Sequence, residues 1–86
     1  YSIALSHHQK ALEIRQKIFP ENHRMIATSY SNIGSVNDAM RNYTEALAFY
    51  EKTLAIEEKI LPSHHPDLAT SYNNLGTVYD NIGDYA

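Results

Sequence analysis

Apolar residues fall at helical spacing in four stretches of this chain, separated by prolines and short polar links. In residues 2–18, Ala4, Leu5, Ala11, Leu12 and Ile18 share a side, while Gln9, Lys10, Glu13 and Gln16 take the other faces. Pro20, with no amide hydrogen and a ring that clashes with the preceding turn, stops this helix. A second helix is predicted over 24–40, with Ile26, Tyr30, Ile33, Val36 and Met40 as its apolar stripe. After a turn at Arg41-Asn42, a third is predicted over 43–61, turning Ala46, Leu47, Tyr50, Leu54, Ile60 and Leu61 inward and leaving Glu51, Lys52, Ala55 and Glu58 outside. Pro62 ends it. Pro66 and Asp67 suit a first helical turn, where a missing donor costs nothing and a carboxylate meets the positive helix end. The fourth helix is predicted over 66–82, with Leu68, Tyr72, Leu75, Val78, Tyr79 and Ile82 apolar and Gly83 as a left-handed stop.

The second pair of stretches copies the first at an offset of 42 residues. Thr28 to Thr44 returns as Thr70 to Ala86, Leu12 falls on Leu54, Lys17-Ile18 on Lys59-Ile60, Pro20 on Pro62 and His23 on His65. A fixed period of this size marks stacked repeats, each a helix pair that buries its apolar face against its neighbours. Residues 23–64 form one full repeat, residues 1–22 the second helix of another with its linker, and residues 65–86 the first helix of a third. Prolines interrupt the pattern, so no heptad runs through it and a coiled coil is the poorer alternative. Gly34 and Gly76 share a register inside helices, where glycine costs about 1 kcal/mol against alanine; the recurrence predicts close approach of another helix.

Composition narrows the function. The 86 residues are 43% hydrophobic and 20% charged, as in a small globular domain and too apolar for disorder. A net charge of −3 leaves no basic face for a phosphate backbone, so nucleic acid is not an expected partner. No apolar run approaches membrane length, and no signal-peptide pattern opens the chain, so neither a membrane nor export is expected and the location expected is cytoplasmic. Without cysteine there is no disulfide or thiolate metal site. The chain reads as a piece of a longer array.

Five histidines are the candidates for metal or catalysis. His7 and His8 are adjacent, about 100° apart on a helix, and cannot share a metal as an i, i+4 pair can. His23 and His65 each precede a helix, where hydrogen bonding to the loop or helix start is the expected role. No nucleophile–base pair, phosphate loop or carboxylate cluster stands out, so no catalytic residue, cofactor or metal is assigned. Tyr30, Tyr72, Tyr43 and Tyr85 are expected to pack between helices rather than form an aromatic cage.

The series Tyr72, Leu75, Gly76, Tyr79, Gly83 and Tyr85, with Ala46 and Tyr50 in the earlier copy, resembles a tetratricopeptide repeat, a family with about 34 residues per helix pair. The longer period here, with Ala-Leu-x-Ile-x-x-Lys-Ile-x-Pro-x-x-His in residues 11–23, is similar to the repeats of kinesin light chains. Asn37 departs from the pattern where Tyr79 keeps it, as do Arg41 against Gly83, His8 against Tyr50 and Thr53 against Ala11. The resemblance implies an all-α, right-handed superhelical solenoid of antiparallel helix pairs, here four helices, and a protein–protein interaction scaffold with a partner peptide in its concave groove. The alternative is a structural spacer or self-associating segment without a ligand of its own.

In such arrays the first helix of each pair lines the groove. The residues this implies are Thr28, Ser31, Ser35, Asp38 and Ala39 on the second helix, with Thr70, Asn73, Thr77, Asp80 and Asn81 on the fourth. Amides and hydroxyls both donate and accept, which suits a peptide backbone, and an amide at the place of Asn73 is similar to one that contacts peptide in kinesin light chain-like repeats. Asn32 and Asn74, at the stripe's edge, resemble the family's structural asparagine and are expected to pack. Asp38 and Asp80 stand where relatives that bind acidic peptides carry cations, so a neutral or basic peptide is favoured. Apolar stripes left uncovered at the two ends are expected to associate end to end.

Overall fold

A computed structural model of the chain describes the backbone of residues 1–85 and the side chains of residues 1–83. Four helices follow in order: α1 Ser2–Ile18, α2 Arg24–Ala39, α3 Tyr43–Ile60 and α4 Pro66–Tyr85. Each packs on the one before it, and no strand is present among the described residues. The backbone measures 39 × 34 × 15 Å. Its short dimension fits two helix layers, whose axes sit about 8–10 Å apart. An ion pair joins α2 directly to α4, and α3 packs on both, so α2 and α4 share one layer.

The core comes in two parts, both built on α3: one joins it to α1 and α2, the other to α4. Ile26, Ala27 and Ile56 are buried together, with Leu12, Phe19 and Tyr30 packed around them. Ala46, Tyr50 and Val78 form the other cluster, flanked by Tyr43, Leu47, Leu75 and Ile82. The predicted stripes therefore supply the core, with differences at the edges. Helix α1 buries no residue at all; Ala4 is exposed, and Ile18 is 66% exposed. Ile60, the repeat-mate of Ile18, is 40% exposed rather than inward, because both lie on the outer side of a last helical turn. Tyr72 and Tyr79 were expected inside and are 53% and 55% exposed; the Tyr72 ring lies at the edge of α3, its hydroxyl donating to Glu58 Oε2 at 3.0 Å.

The helix starts are capped as their histidines predicted. His23 Nδ1 accepts the Met25 amide at 3.0 Å, and His65 Nδ1 accepts the Asp67 amide at 3.1 Å. Each satisfies a donor that the helix itself leaves unpaired. Phe19 stacks on the His23 ring at 4.1 Å between centroids, which holds the cap in place.

The helix ends diverge. Arg41 has φ 64°, a left-handed conformation. Its amide donates to Asp38 O at 3.0 Å, and the Asn42 amide donates to Asn37 O at 2.8 Å, the two bonds of a Schellman close. A side chain costs about 1–2 kcal/mol there. Arg41→Gly is therefore expected to raise stability by about 1 kcal/mol, read from the denaturation midpoint, because the exposed arginine's own contacts are worth less. A lowered midpoint would show that those contacts dominate. In the second copy no glycine has positive φ, and α4 continues through Gly83 to Tyr85 instead of stopping at 82. Extending a formed helix gains a hydrogen bond per residue, and among the described residues a Cβ on Gly83 would meet nothing within 4 Å.

Candidate functional site: the cleft between α2 and α4

Side by side, α2 and α4 leave a cleft of about 220 Å³ with α3 as its floor. Arg24, Ala27, Thr28, Ser31 and Asn32 come from α2, Asp67, Thr70, Ser71 and Asn74 from α4, and Thr53 and Glu57 from below. Helical spacing produces this set, since residues three and four apart share one face. One end is closed by Arg24, whose Nη2 donates to Asp67 Oδ2 at 2.8 Å.

The lining is polar, and parts of it are already engaged. Thr28 Oγ1 donates to Arg24 O at 3.1 Å and Thr70 Oγ1 to Pro66 O at 3.4 Å, so both hydroxyls turn acceptor lone pairs outward. Ser71 donates to Glu57 Oε1 across the floor. Thr53 Oγ1 donates to Ala27 O at 3.3 Å and to Phe49 O at 3.0 Å, tying α3 to α2. The amides of Asn32 and Asn74 line the cleft and make no hydrogen bond within the described residues. They were expected to pack and are half-buried; from there they also offer donors and acceptors to the cleft.

Only some of the predicted groove residues meet here. Thr28, Ser31 and Thr70 line the cleft. Asn73, Thr77 and Asp80 are exposed on the outer side of α4, while Asn81 is half-buried. Ser35 and Asp38 lie further along α2 beside Tyr50. Burial pushes the Tyr50 hydroxyl above the ordinary tyrosine range, the Ser35 hydrogen bond opposes this, and the Asp38 charge adds to it. Ala39, at the end of α2, is exposed.

Sequence reading missed the floor. Arg15 Nη1 donates to Ser29 Oγ at 2.8 Å, which is the same link one repeat earlier as that between Glu57 and Ser71. Both pairs span 14 residues. The register was legible, but the exchange of arginine for glutamate hid it. Among the described residues no group of three or more His, Cys, Asp or Glu is arranged to hold a metal ion. Among the described residues no helix is long and apolar enough to cross a membrane.

The architecture defines a helix-pair solenoid with a polar cleft between the first helices of successive pairs. The tetratricopeptide-repeat family model matches residues 1–59 and 25–86, so the chain belongs to the tetratricopeptide-repeat family. Repeats of this family generally mediate protein–protein interactions and are typically non-enzymatic scaffolds. Comparison with curated proteins gives no match.

Proposed function

We propose that the α2–α4 cleft holds an extended peptide segment of a partner protein, in the manner of kinesin light chain-like cargo adaptors, within the cytoplasm. The observation that carries this is the pair of unengaged amides, Asn32 and Asn74, on opposite walls of one cleft. Such groups can pair with a backbone that presents alternating donors and acceptors. The stripe of Ser31, Ser35, Asp38, Thr70, Asn73, Thr77, Asp80 and Asn81 continues the polar surface on either side.

Charge selects the ligand. The cleft's one cation, Arg24, is bound to Asp67, which leaves Glu57 as the excess charge of the lining. Asp38 and Asp80 add carboxylates along the helices. A neutral or basic peptide is therefore favoured, and an acidic one is repelled.

Titrating neutral, basic and acidic peptide libraries against the chain and mapping amide shifts tests the reading. Shifts are expected along α2 and α4 with the neutral or basic sets. Asn74→Ala and Asn73→Ala are each expected to weaken binding while changing stability by no more than about 0.5 kcal/mol, as for solvent-accessible sites. Asp80→Lys is expected to move preference toward acidic peptides. Shifts confined to another face, or a preference indifferent to position 80, would overturn the proposal.

A further inference from the structure

We infer that the α2–α4 cleft selects a lysine side chain of the bound segment and seats its ammonium on Glu57. This rests on the reading of the cleft as a peptide site and names the side chain that the site recognises. Size is the first argument. The cleft holds about 220 Å³. A protein cavity of roughly 150 Å³ takes one benzene ring, so this one has room for a single long side chain and not for a length of backbone. The backbone then runs across the mouth, where Asn32 and Asn74 meet it, and one side chain points down to the floor.

The floor offers acceptors. Glu57 is half-buried there; its Oε1 takes the Ser71 hydroxyl, while Oε2 has no hydrogen bond among the described residues. Thr28 and Thr70 spend their hydroxyl hydrogens on Arg24 O and Pro66 O and keep lone pairs for the cleft. Each asparagine amide has an oxygen to turn inward and an NH2 group to give the backbone. An ammonium carries three donors and no acceptor, which is what this set lacks. A guanidinium fits less well, because its planar fork matches a carboxylate with both oxygens free and Ser71 holds one of them. Arg24 does not supply the missing cation: its Nη2 is held by Asp67 Oδ2 at 2.8 Å, so that pair is balanced and Glu57 is not.

The first repeat shows that packing does not call for this carboxylate. Arg15 stands in the register of Glu57 and makes the same tie across 14 residues, Nη1 to Ser29 Oγ at 2.8 Å, with a second contact to Met25 O at 3.4 Å. Either sign of charge therefore fastens the serine to the neighbouring helix. Arginine brings its own cation to that register. Glutamate leaves a half-buried negative charge that a cation from outside can match.

Capped Ala-Ala-Lys-Ala-Ala, titrated against the 86-residue chain and followed by amide shifts, tests this beside three other peptides. Norleucine in place of lysine keeps the stem and loses the ammonium, arginine changes its shape, and uncapped penta-alanine carries an ammonium only at its N-terminus. The lysine peptide is expected to bind about tenfold tighter than the norleucine one, the scale of a hydrogen bond to a charged group, and tighter than the other two. Shifts should centre on Asn32, Glu57, Ser71 and Asn74. Glu57→Gln keeps an oxygen for Ser71 and removes the charge, so the preference for lysine over norleucine should vanish while the norleucine affinity holds. Glu57→Arg reproduces the tie of Arg15 to Ser29 and should bind the lysine peptide more weakly than the norleucine one. Thermal melting checks that both variants fold, and the lysine–norleucine comparison on the unaltered chain depends on neither. Binding in the cleft with no preference for lysine, or with arginine or the chain-end ammonium preferred, overturns the inference and leaves the peptide reading standing. So does a lysine preference that survives Glu57→Gln. If no peptide shifts the cleft amides, both fall.

Discussion

Ile26→Ala is expected to lower stability by about 3 kcal/mol, within the usual range for removing a large buried aliphatic side chain. Ile26 is 1% exposed and joins Ala27 and Ile56 in a cluster that Leu12, Phe19 and Tyr30 complete. It is thus the point where α1, α2 and α3 meet. A small domain has roughly 0.05–0.15 kcal/mol of stability per residue, so this single loss removes a quarter or more of the total. The effect should not be uniform. Helix α1 buries nothing of its own and holds to the rest through Leu12, the adjoining Phe19, and Arg15 on Ser29 and Met25 O. With Ile26 truncated, the surface that Leu12 and Phe19 pack on recedes, and α1 should open before α3. Denaturant unfolding gives the total, and amide exchange gives the order. A loss below about 1 kcal/mol would refute the assignment of Ile26 as the hub, as would α1 amides exchanging no faster than those of α3.

The division between what was legible in the sequence and what was not follows from periodicity. Helix positions come from the apolar period and from proline, and α1 to α3 lie within a residue of where those place them. The histidine caps were legible because His23 and His65 share one register and a cap needs only local geometry. Burial was less legible. Tyr72 and Tyr30 sit on the same stripe, yet Tyr30 lies against Phe49 at 6.0 Å between ring centroids while Tyr72 reaches solvent. Sequence names the face of a helix but not whether another helix covers it. For the cleft, the stripe on α2 and α4 was readable, but its floor was not, because Thr53 and Glu57 belong to a helix read as packing only. Asn32 and Asn74, expected to pack, are half-buried and also line the cleft, because at the edge of a stripe a residue can serve both surfaces.

One substitution made at two equivalent positions should act with opposite sign. Gly34→Ala is expected to cost about 1–2 kcal/mol, and Gly76→Ala to contribute about 1 kcal/mol of added stability. Alanine is the better helix former at both, by about 1 kcal/mol, because glycine loses more backbone freedom on folding. At Gly34 that gain is outweighed. The new Cβ would lie 2.8 Å from Tyr50 Cδ1, 2.9 Å from Cε1 and 3.4 Å from the backbone oxygen of Ala46. The ring has little room to yield: Tyr50 is 5% exposed and packs with Ala46 and Val78. Either α3 lifts from α2 or Tyr50 leaves its position, and overpacking of this kind costs about 1–3 kcal/mol. At Gly76 the Cβ projects into open space, and only the propensity gain remains. Thermal melts should move down for the first variant and up for the second. If both moved up, the approach of Tyr50 to α2 would be too loose to explain the glycine. If both moved down, the space beside Gly76 would have to be filled rather than open.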